Sequence, residues 1–341
     1  MIVGIVFVVF ILTVILTWRF CNPASSLYIL DHPNERSLHV QATPRSGGVA
    51  VVIGISVGAL LVWLVHPSDP NWTLLLLAGL PVALVSFVDD RHGVRVAVRI
   101  LCHIAAGCLL IGLGYVPEVL ELPGLMWRLP AVVDMLAALL FIVWMINLYN
   151  FMDGMDGFAG GMTVIGFITY ALLGLQADNL LFVLASCVVA ASGAGFLLFN
   201  FPPARIFLGD TGSSTLGFLM AAFSLWASRD KVFPLWIAVV VFSPFIVDAT
   251  VTLLRRLSQG DKVWIAHKTH YYQKLVQLGW GHRRTVLAEY GLMLWCSLSA
   301  LVAMGVSTVI QLGLSVVLLL LYIVLILSIE RLRQRHSILV P

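Results

Sequence analysis

The sequence predicts an all-α integral membrane protein, a polytopic bundle of about eleven transmembrane helices with its N-terminus outside and its C-terminus in the cytoplasm. Three observations lead there. Of the 341 residues, 60% are hydrophobic and 11% are charged, where soluble domains run at about 25% charged; the mean hydropathy is +0.99. Apolar stretches long enough to cross a bilayer, about 17–25 residues each, recur along the whole chain. Lys and Arg are confined almost entirely to alternate loops.

The spans read, in order, as residues 2–18, 47–65, 72–88, 100–116, 131–147, 161–176, 180–199, 213–227, 234–253, 286–305 and 312–329. Arg19 follows the first apolar run rather than preceding it, which argues against a cleaved leader. The second opens on Arg45-Ser46-Gly47-Gly48, and the third ends in Asp89-Asp90. The sixth opens on Gly160-Gly161 and the eighth just after Asp210, with Thr211 and Ser213 as candidate caps. Residues 290–329 carry no Lys, Arg, Asp or Glu. That is too long for one crossing, and a break near Ser307, Gln311 and Gly313 divides it in two.

One set of loops holds 17 of the 20 Lys and Arg, and the opposite set holds only Arg128, Arg229 and Lys231. The positive-inside rule makes the rich side cytoplasmic. A net charge of +3 beside the cytoplasmic leaflet suits anionic headgroups or anionic substrates. It is too small and scattered for nucleic acid. The five cysteines form no C-x-x-C pair and read as small core residues. The outside loop 117–130 reads as an interfacial segment anchored by Trp127.

No repeat, low-complexity tract or soluble domain interrupts the chain, which reads as one membrane domain over 1–341. Its polar residues gather in the inside loops 19–46, 89–99, 147–160, 200–212 and 254–285. A transporter or flippase with a cation site would bury ionisable groups near mid-membrane. Here only Asp134, Asp248, Glu289 and His103 fall within or near the ends of spans. Chemistry is expected at the cytoplasmic surface.

Four constellations lie on that surface. Asp89 and Asp90 end a helix, where the partial negative charge of the C-terminus disfavours them. A metal ion, a neighbouring Arg or a raised pKa must offset this. In N-L-Y-N-F-M-D-G-M-D-G, Asn147, Asn150, Asp153 and Asp156 stand three apart and are followed by glycines. A helix end unwinding there would fold the polar groups around one small, multiply charged ligand, lining a wet cavity. Asp210 opens the eighth span, and three glycine-softened helix N-termini on one face suit phosphate. The five carboxylates fit Mg²⁺, or Mn²⁺, better than zinc. In the last loop, His267 and His270 lack a third zinc ligand; with Lys268 they read as donors to a diphosphate or nucleotide. Arg45, beside Gly47-Gly48, suggests a further anion site.

Together D-D at 89–90, the Asn/Asp motif at 147–157, F-N at 199–200, G-D-T-G-S at 209–213 and H-x-x-H at 267–270 resemble the polyprenyl-phosphate N-acetylhexosaminyl-1-phosphate transferases. These start bacterial cell-envelope glycans at the inner membrane. The resemblance runs from about residue 30 to 285. The P-R-S-G-G and H-K-T-H forms look more like the O-antigen, common-antigen and teichoic-acid branch. The phospho-muramoyl-pentapeptide branch, the alternative, usually has a denser His cluster.

The resemblance implies transfer of an N-acetylhexosamine 1-phosphate from a UDP-N-acetylhexosamine to undecaprenyl phosphate, releasing UMP. It implies that Asp210, with Asp153, holds Mg²⁺, and that Asp89 or Asp90 orients or deprotonates the lipid phosphate. Asn150, Asp153 and Asp156 would line the donor pocket, supported by Asn147 and Asn200. Arg45, Arg99, His267, Lys268 and His270 would neutralise phosphate charge or hold the sugar. A direct attack of the lipid phosphate on phosphorus is favoured over an acyl-phosphate intermediate, because a phosphate monoester with a pKa near ~6 is already largely dianionic. Membrane lipids surround such a protein, and a helix-packed homodimer is compatible with it.

Overall fold

The computed structural model describes residues 2–33, 37–66, 71–117, 119–262 and 267–339. Arg36 of the first inside loop and residues 264–266 of the last lie outside this set. In chain order the helices are α1 (Ile2–Phe20), α2 (Gly47–Val65), α3 (Asn71–His92), α4 (Val96–Gly112), α5 (Ala131–Phe151), α6 (Phe158–Gln176) and α7 (Leu180–Asn200). They continue with α8 (Gly209–Arg229), α9 (Leu235–Val241), α10 (Ser243–Ser258), α11 (Tyr271–Leu275), α12 (Gly281–Ala303) and α13 (Thr308–Leu339). Two short antiparallel pairs join loop segments: β1 (Leu30–Asp31) with β2 (Thr43–Pro44), and β3 (Leu120–Leu122) with β4 (Leu125–Trp127).

Helix stands at each of the eleven expected places. Among the described residues, however, eight helices are long and apolar enough to cross a membrane, or nine if α9 and α10 count as one broken span. The shortfall has local causes. α4 has 17 residues, and α9 and α10 meet at an angle of 82°, where Pro244 has no N–H to continue the ladder. α8 fails because it is built from Gly, Ser, Thr and Ala, which its place explains. Every residue from Thr211 to Ala227 is buried, with α2, α3, α5 and α9 packed around it. A helix that never meets lipid needs small residues so that its neighbours can approach. A Cβ on Gly217 would come within 2.6 Å of the Met145 carbonyl oxygen of α5, and a Cβ on Gly48 of α2 would overlap the backbone of Gly212.

Between α12 and α13 the chain breaks at Ser307, as expected, and Gln311 Nε2 reaches back to the Ala303 carbonyl (2.9 Å). α13 extends past the apolar segment to Leu339. Within the loop expected outside, Leu120–Leu122 and Leu125–Trp127 form the β3–β4 hairpin with Trp127 exposed, and all five cysteines are free.

Away from the polar end, aromatic rings of α6–α9 lock the core. Phe182 meets Trp226 edge-on at 5.1 Å, and Phe167 meets Phe223 at 5.2 Å. Hydroxyls cross-link neighbours, with Tyr170 to Ser224 at 2.7 Å and Tyr149 to Thr163 at 2.6 Å. The close α2–α8 contact yields a test. Gly48→Ala should lower stability by about 1–3 kcal/mol, read as a lower unfolding midpoint in detergent. Gly4→Ala, whose Cβ would meet open space, should leave the midpoint unchanged.

Candidate active site

The site is assembled where the end of α3 meets the start of α8. Asp90 is buried; its Oδ1 accepts the Asp210 N–H (3.0 Å), and its Oδ2 accepts both the Thr211 N–H (2.8 Å) and the Thr211 hydroxyl (2.6 Å). The carboxylate disfavoured at one helix C-terminus is thus held by the N-terminal amides of another. Thr211 and Ser213 are therefore not the caps of α8. Thr211 donates to the same carboxylate, and Ser213 Oγ donates back to the Gly209 carbonyl (3.0 Å). Gly209 has φ +71° and lies where a Cβ would overlap the Arg45 carbonyl, so only glycine fits.

Two arginines complete the joint. Arg45 Nη2 donates to the Asp90 main-chain oxygen (2.6 Å). Arg99 Nη1, from α4, bridges Asp89 Oδ2 (2.6 Å) and Asp210 Oδ2 (3.0 Å). Asn150 Nδ2, from the last turn of α5, donates to Asp210 Oδ1 (2.9 Å) and Ser213 Oγ (3.0 Å).

Beyond α5 the glycines do what the sequence suggests. The helix stops at Phe151, and Gly157, left-handed at φ +75°, starts α6. Asn200 fixes that corner, accepting the Gly157 N–H (2.9 Å) and donating to the Ile206 carbonyl (2.9 Å). Asp156 accepts the Ala204 N–H at Oδ2 (3.0 Å), and its Oδ1 lies 3.0 Å from His282 Nδ1. Asp153 differs from the other acids. Its half-buried carboxyl has no hydrogen-bond or ion-pair partner among the described residues, and it lines a cavity of about 290 Å³. Burial, and then the negative charges of Asp210, Asp90 and Asp31, push its pKa well above the usual carboxylate range.

Of the residues expected from the sequence, Arg45, Asp90, Asn150, Asp153, Asp156, Asn200 and Asp210 line this cavity. Asp89 and Arg99 stand behind it and act on Asp210. Asn147 lies one turn too deep in α5, its amide donating to the Val143 carbonyl (2.7 Å). His267, Lys268 and His270 of the last loop are likewise absent from the cavity wall. The His270 ring is buried against Asp248 (3.2 Å) and stacks between Phe151 and Tyr272. His267 Nδ1 engages Thr269 (2.9 Å), and the Lys268 carbonyl accepts from Gln277 (2.8 Å). Burial, with the charges of His270 and Arg256, lowers the His267 pKa to about 4.

Asp31, His39, Gln273 and His282 line the cavity without having been singled out from the sequence. His282 carried a readable signal, since it follows the glycine pair Gly279 and Gly281, both at positive φ, at the start of α12. Asp31 and His39 carried none; the β1–β2 pairing brings them in.

Among the described residues no group of three His, Cys, Asp or Glu stands close enough to hold an ion alone. This suits Mg²⁺, which is ordinarily bound through one or two carboxylates and completed by substrate phosphates and water. Asp153, without a partner among the described residues, and Asp210, held by Arg99 and Asn150 at the cavity wall, are the pair that fits.

The helices thus form a polytopic bundle with a carboxylate-lined, arginine-flanked cavity at one end. The model of glycosyl transferase family 4 matches residues 72–228. A Bacillus subtilis relative, named a probable undecaprenyl-phosphate N-acetylglucosaminyl 1-phosphate transferase, is 30% identical over 95% of this chain and 90% of its own. The decaprenyl-phosphate N-acetylglucosaminephosphotransferase of Mycobacterium tuberculosis is 31% identical over 81% of this chain and 75% of its own. A phospho-N-acetylmuramoyl-pentapeptide-transferase of Moorella thermoacetica is 30% identical over 76% and 83%. The chain belongs to glycosyl transferase family 4.

Asp153 gives a pH test. From the ordinary carboxylate value of 3.8 up to its raised folded value, the folded state keeps a proton that the unfolded chain has released. That contribution to stability is complete below 3.8 and is lost as pH rises through the folded value. In EDTA, Asp153→Asn should therefore melt above wild type at alkaline pH, with the gap closing towards pH ~4.

Proposed function

We propose that the protein transfers N-acetylhexosamine 1-phosphate from a UDP-sugar to undecaprenyl phosphate, yielding the undecaprenyl-diphosphate sugar and UMP, as the first membrane step of a cell-envelope polysaccharide. The observation that carries this reading is the unpartnered Asp153 among like charges in the cavity, an arrangement that a cation and a diphosphate would relieve. The names of the relatives matched over most of the chain make UDP-N-acetylglucosamine the first donor to test. The site loops belong to the set rich in Lys and Arg, which supports a cytoplasmic active site, an outer N-terminus and an inner C-terminus.

Asp153 and Asp210 would hold Mg²⁺, which supplies charge neutralisation on the diphosphate when bound. Arg99 holds Asp210 in place from behind. Arg45, turned to the cavity, stabilises anionic oxygens of the donor. The lipid phosphate attacks the β-phosphorus directly, the β-phosphorus–oxygen bond to UMP breaks, and UMP departs with its electron pair. Such chemistry asks the protein for positioning and electrostatics. Asp90, with both oxygens occupied by α8, supplies positioning.

The test is UMP release by purified protein in detergent with undecaprenyl phosphate, across a panel of UDP-N-acetylhexosamines and UDP-N-acetylmuramoyl-pentapeptide, with and without EDTA. Release that requires lipid phosphate and metal supports the reading, and the responding donor identifies the sugar. Release without lipid phosphate, or none from folded protein across the panel, overturns it. Asp153→Asn and Asp210→Asn should each lower the rate by about 100-fold or more. Arg99→Ala, acting one shell further out, should lower it by about 10–100-fold.

A further inference from the structure

Asp248 is a buried carboxylate near the inner end of a broken span, outside the cavity lining, and the mechanism above does not use it. Its surroundings are unusually complete. Oδ1 lies 3.2 Å from His270 Nδ1 and accepts the Tyr271 N–H (2.9 Å) and the Thr252 hydroxyl (3.1 Å), while Oδ2 accepts the Tyr272 N–H (3.0 Å). The carboxylate thus gathers the opening amides of α11, the imidazole before it and a hydroxyl of its own helix. Gln273 Oε1 accepts the His270 N–H (3.2 Å), which closes the start of α11 on itself.

What α11 then touches gives the arrangement a purpose. Tyr272 is buried, with its ring 4.9 Å from that of Phe158 at the start of α6. Its hydroxyl donates to the carbonyl of Phe151, the last residue of α5 (3.2 Å). That hydroxyl also fills the space where a Cβ on Gly154 would lie. So Tyr272 braces both ends of the turn carrying Asp153 and Asp156, and the glycine between them is where it presses. Lys274 fixes α11 from the other side, 2.7 Å from Glu330 of α13.

We propose that Asp248 is a positioning residue of the active site. With His270 it forms a strut that acts through α11 and Tyr272 to hold the 152–157 turn in the conformation that presents Asp153. The H-x-x-H segment then shapes the acidic cavity and does not itself bind the donor. This rests on the proposed function only in treating the turn as part of the site.

Hydrogen–deuterium exchange of the full-length protein in detergent, without substrate, tests the strut without reference to catalysis. In Asp248→Asn, and separately in Tyr272→Phe, amide exchange in the peptide covering 151–158 should speed up by about tenfold, while peptides from α1 and α7 stay as in wild type. In the UMP assay both variants should need more Mg²⁺ for half-maximal rate, with the KM for UDP-sugar within about twofold of wild type. Unchanged exchange of the turn in both variants overturns the proposal. So does His270→Gln if it raises the KM for UDP-sugar while leaving the turn's exchange unchanged, because His270 would then contact the donor. Should Asp248→Asn fail to fold, Tyr272→Phe decides alone. A wild-type protein that releases no UMP would sink the proposed function, and the exchange result would still decide the strut.

Discussion

The interaction on which the rest depends is the seating of the Asp90 carboxylate on the first amides of α8. A helix C-terminus and a helix N-terminus of opposite partial charge meet there, and one carboxylate satisfies two amides and a hydroxyl. Hydrogen bonds to a charged group contribute about 1.5–3 kcal/mol each when well formed. Without Asp90 those amides would be orphaned in a buried place. The joint fixes the depth at which α8 begins, and with it the height of Asp210. Arg99 and Asn150 can then occupy one oxygen each of that carboxylate, and Arg45 can span from the loop before α2 to the Asp90 main chain. The neighbouring acids of the D-D pair consequently do different things. Asp90 holds a helix, and Asp89 holds the arginine that holds Asp210.

Around this joint the structure accepts instability where function needs it. Among the described residues Asp153 has neither a hydrogen-bond donor nor a cation paired with it, and three further carboxylates raise the cost of its charge. Elsewhere every acid near the cavity finds partners, among them the Ala204 amide and His282 for Asp156. A carboxylate left without a partner amid so many satisfied ones is the observation that supports the proposed cation site.

The membrane shapes the architecture in a way that composition alone conceals. Lipid-facing helices such as α1 and α13 are strongly apolar and mostly exposed, whereas α8, at the centre, carries the chain's polar small residues. In lipid the hydrophobic effect cannot drive helix against helix, so close packing and internal hydrogen bonds must. Glycines facing α2 and α5 permit that approach, and serines bonded to carbonyls one turn back keep their hydroxyls satisfied. The same central placement lets α8 deliver Asp210 to a cavity that α3 and α5 also reach.

The sequence by itself determined the membrane class, the places of the helices and most of the residues that line the acidic cavity. Those properties are written in local signals, namely runs of apolar residues, the distribution of Lys and Arg, and glycines beside acids. It could not tell that Asn147 lies a turn too deep, because helical phase fixes direction but not where a helix stops. Nor could it tell that His270 turns away to Asp248, or that Asp31, His39 and Gln273 join the cavity, because those depend on contacts between segments far apart in the chain. The count of spans was lost in the same way. α8 looks too polar and α9–α10 too broken until their neighbours are known. Only the tertiary structure decided which polar groups satisfy one another and that the Asp153 carboxyl faces the cavity without a partner among the described residues, since hydrogen-bond satisfaction belongs to the packed assembly and not to any single segment.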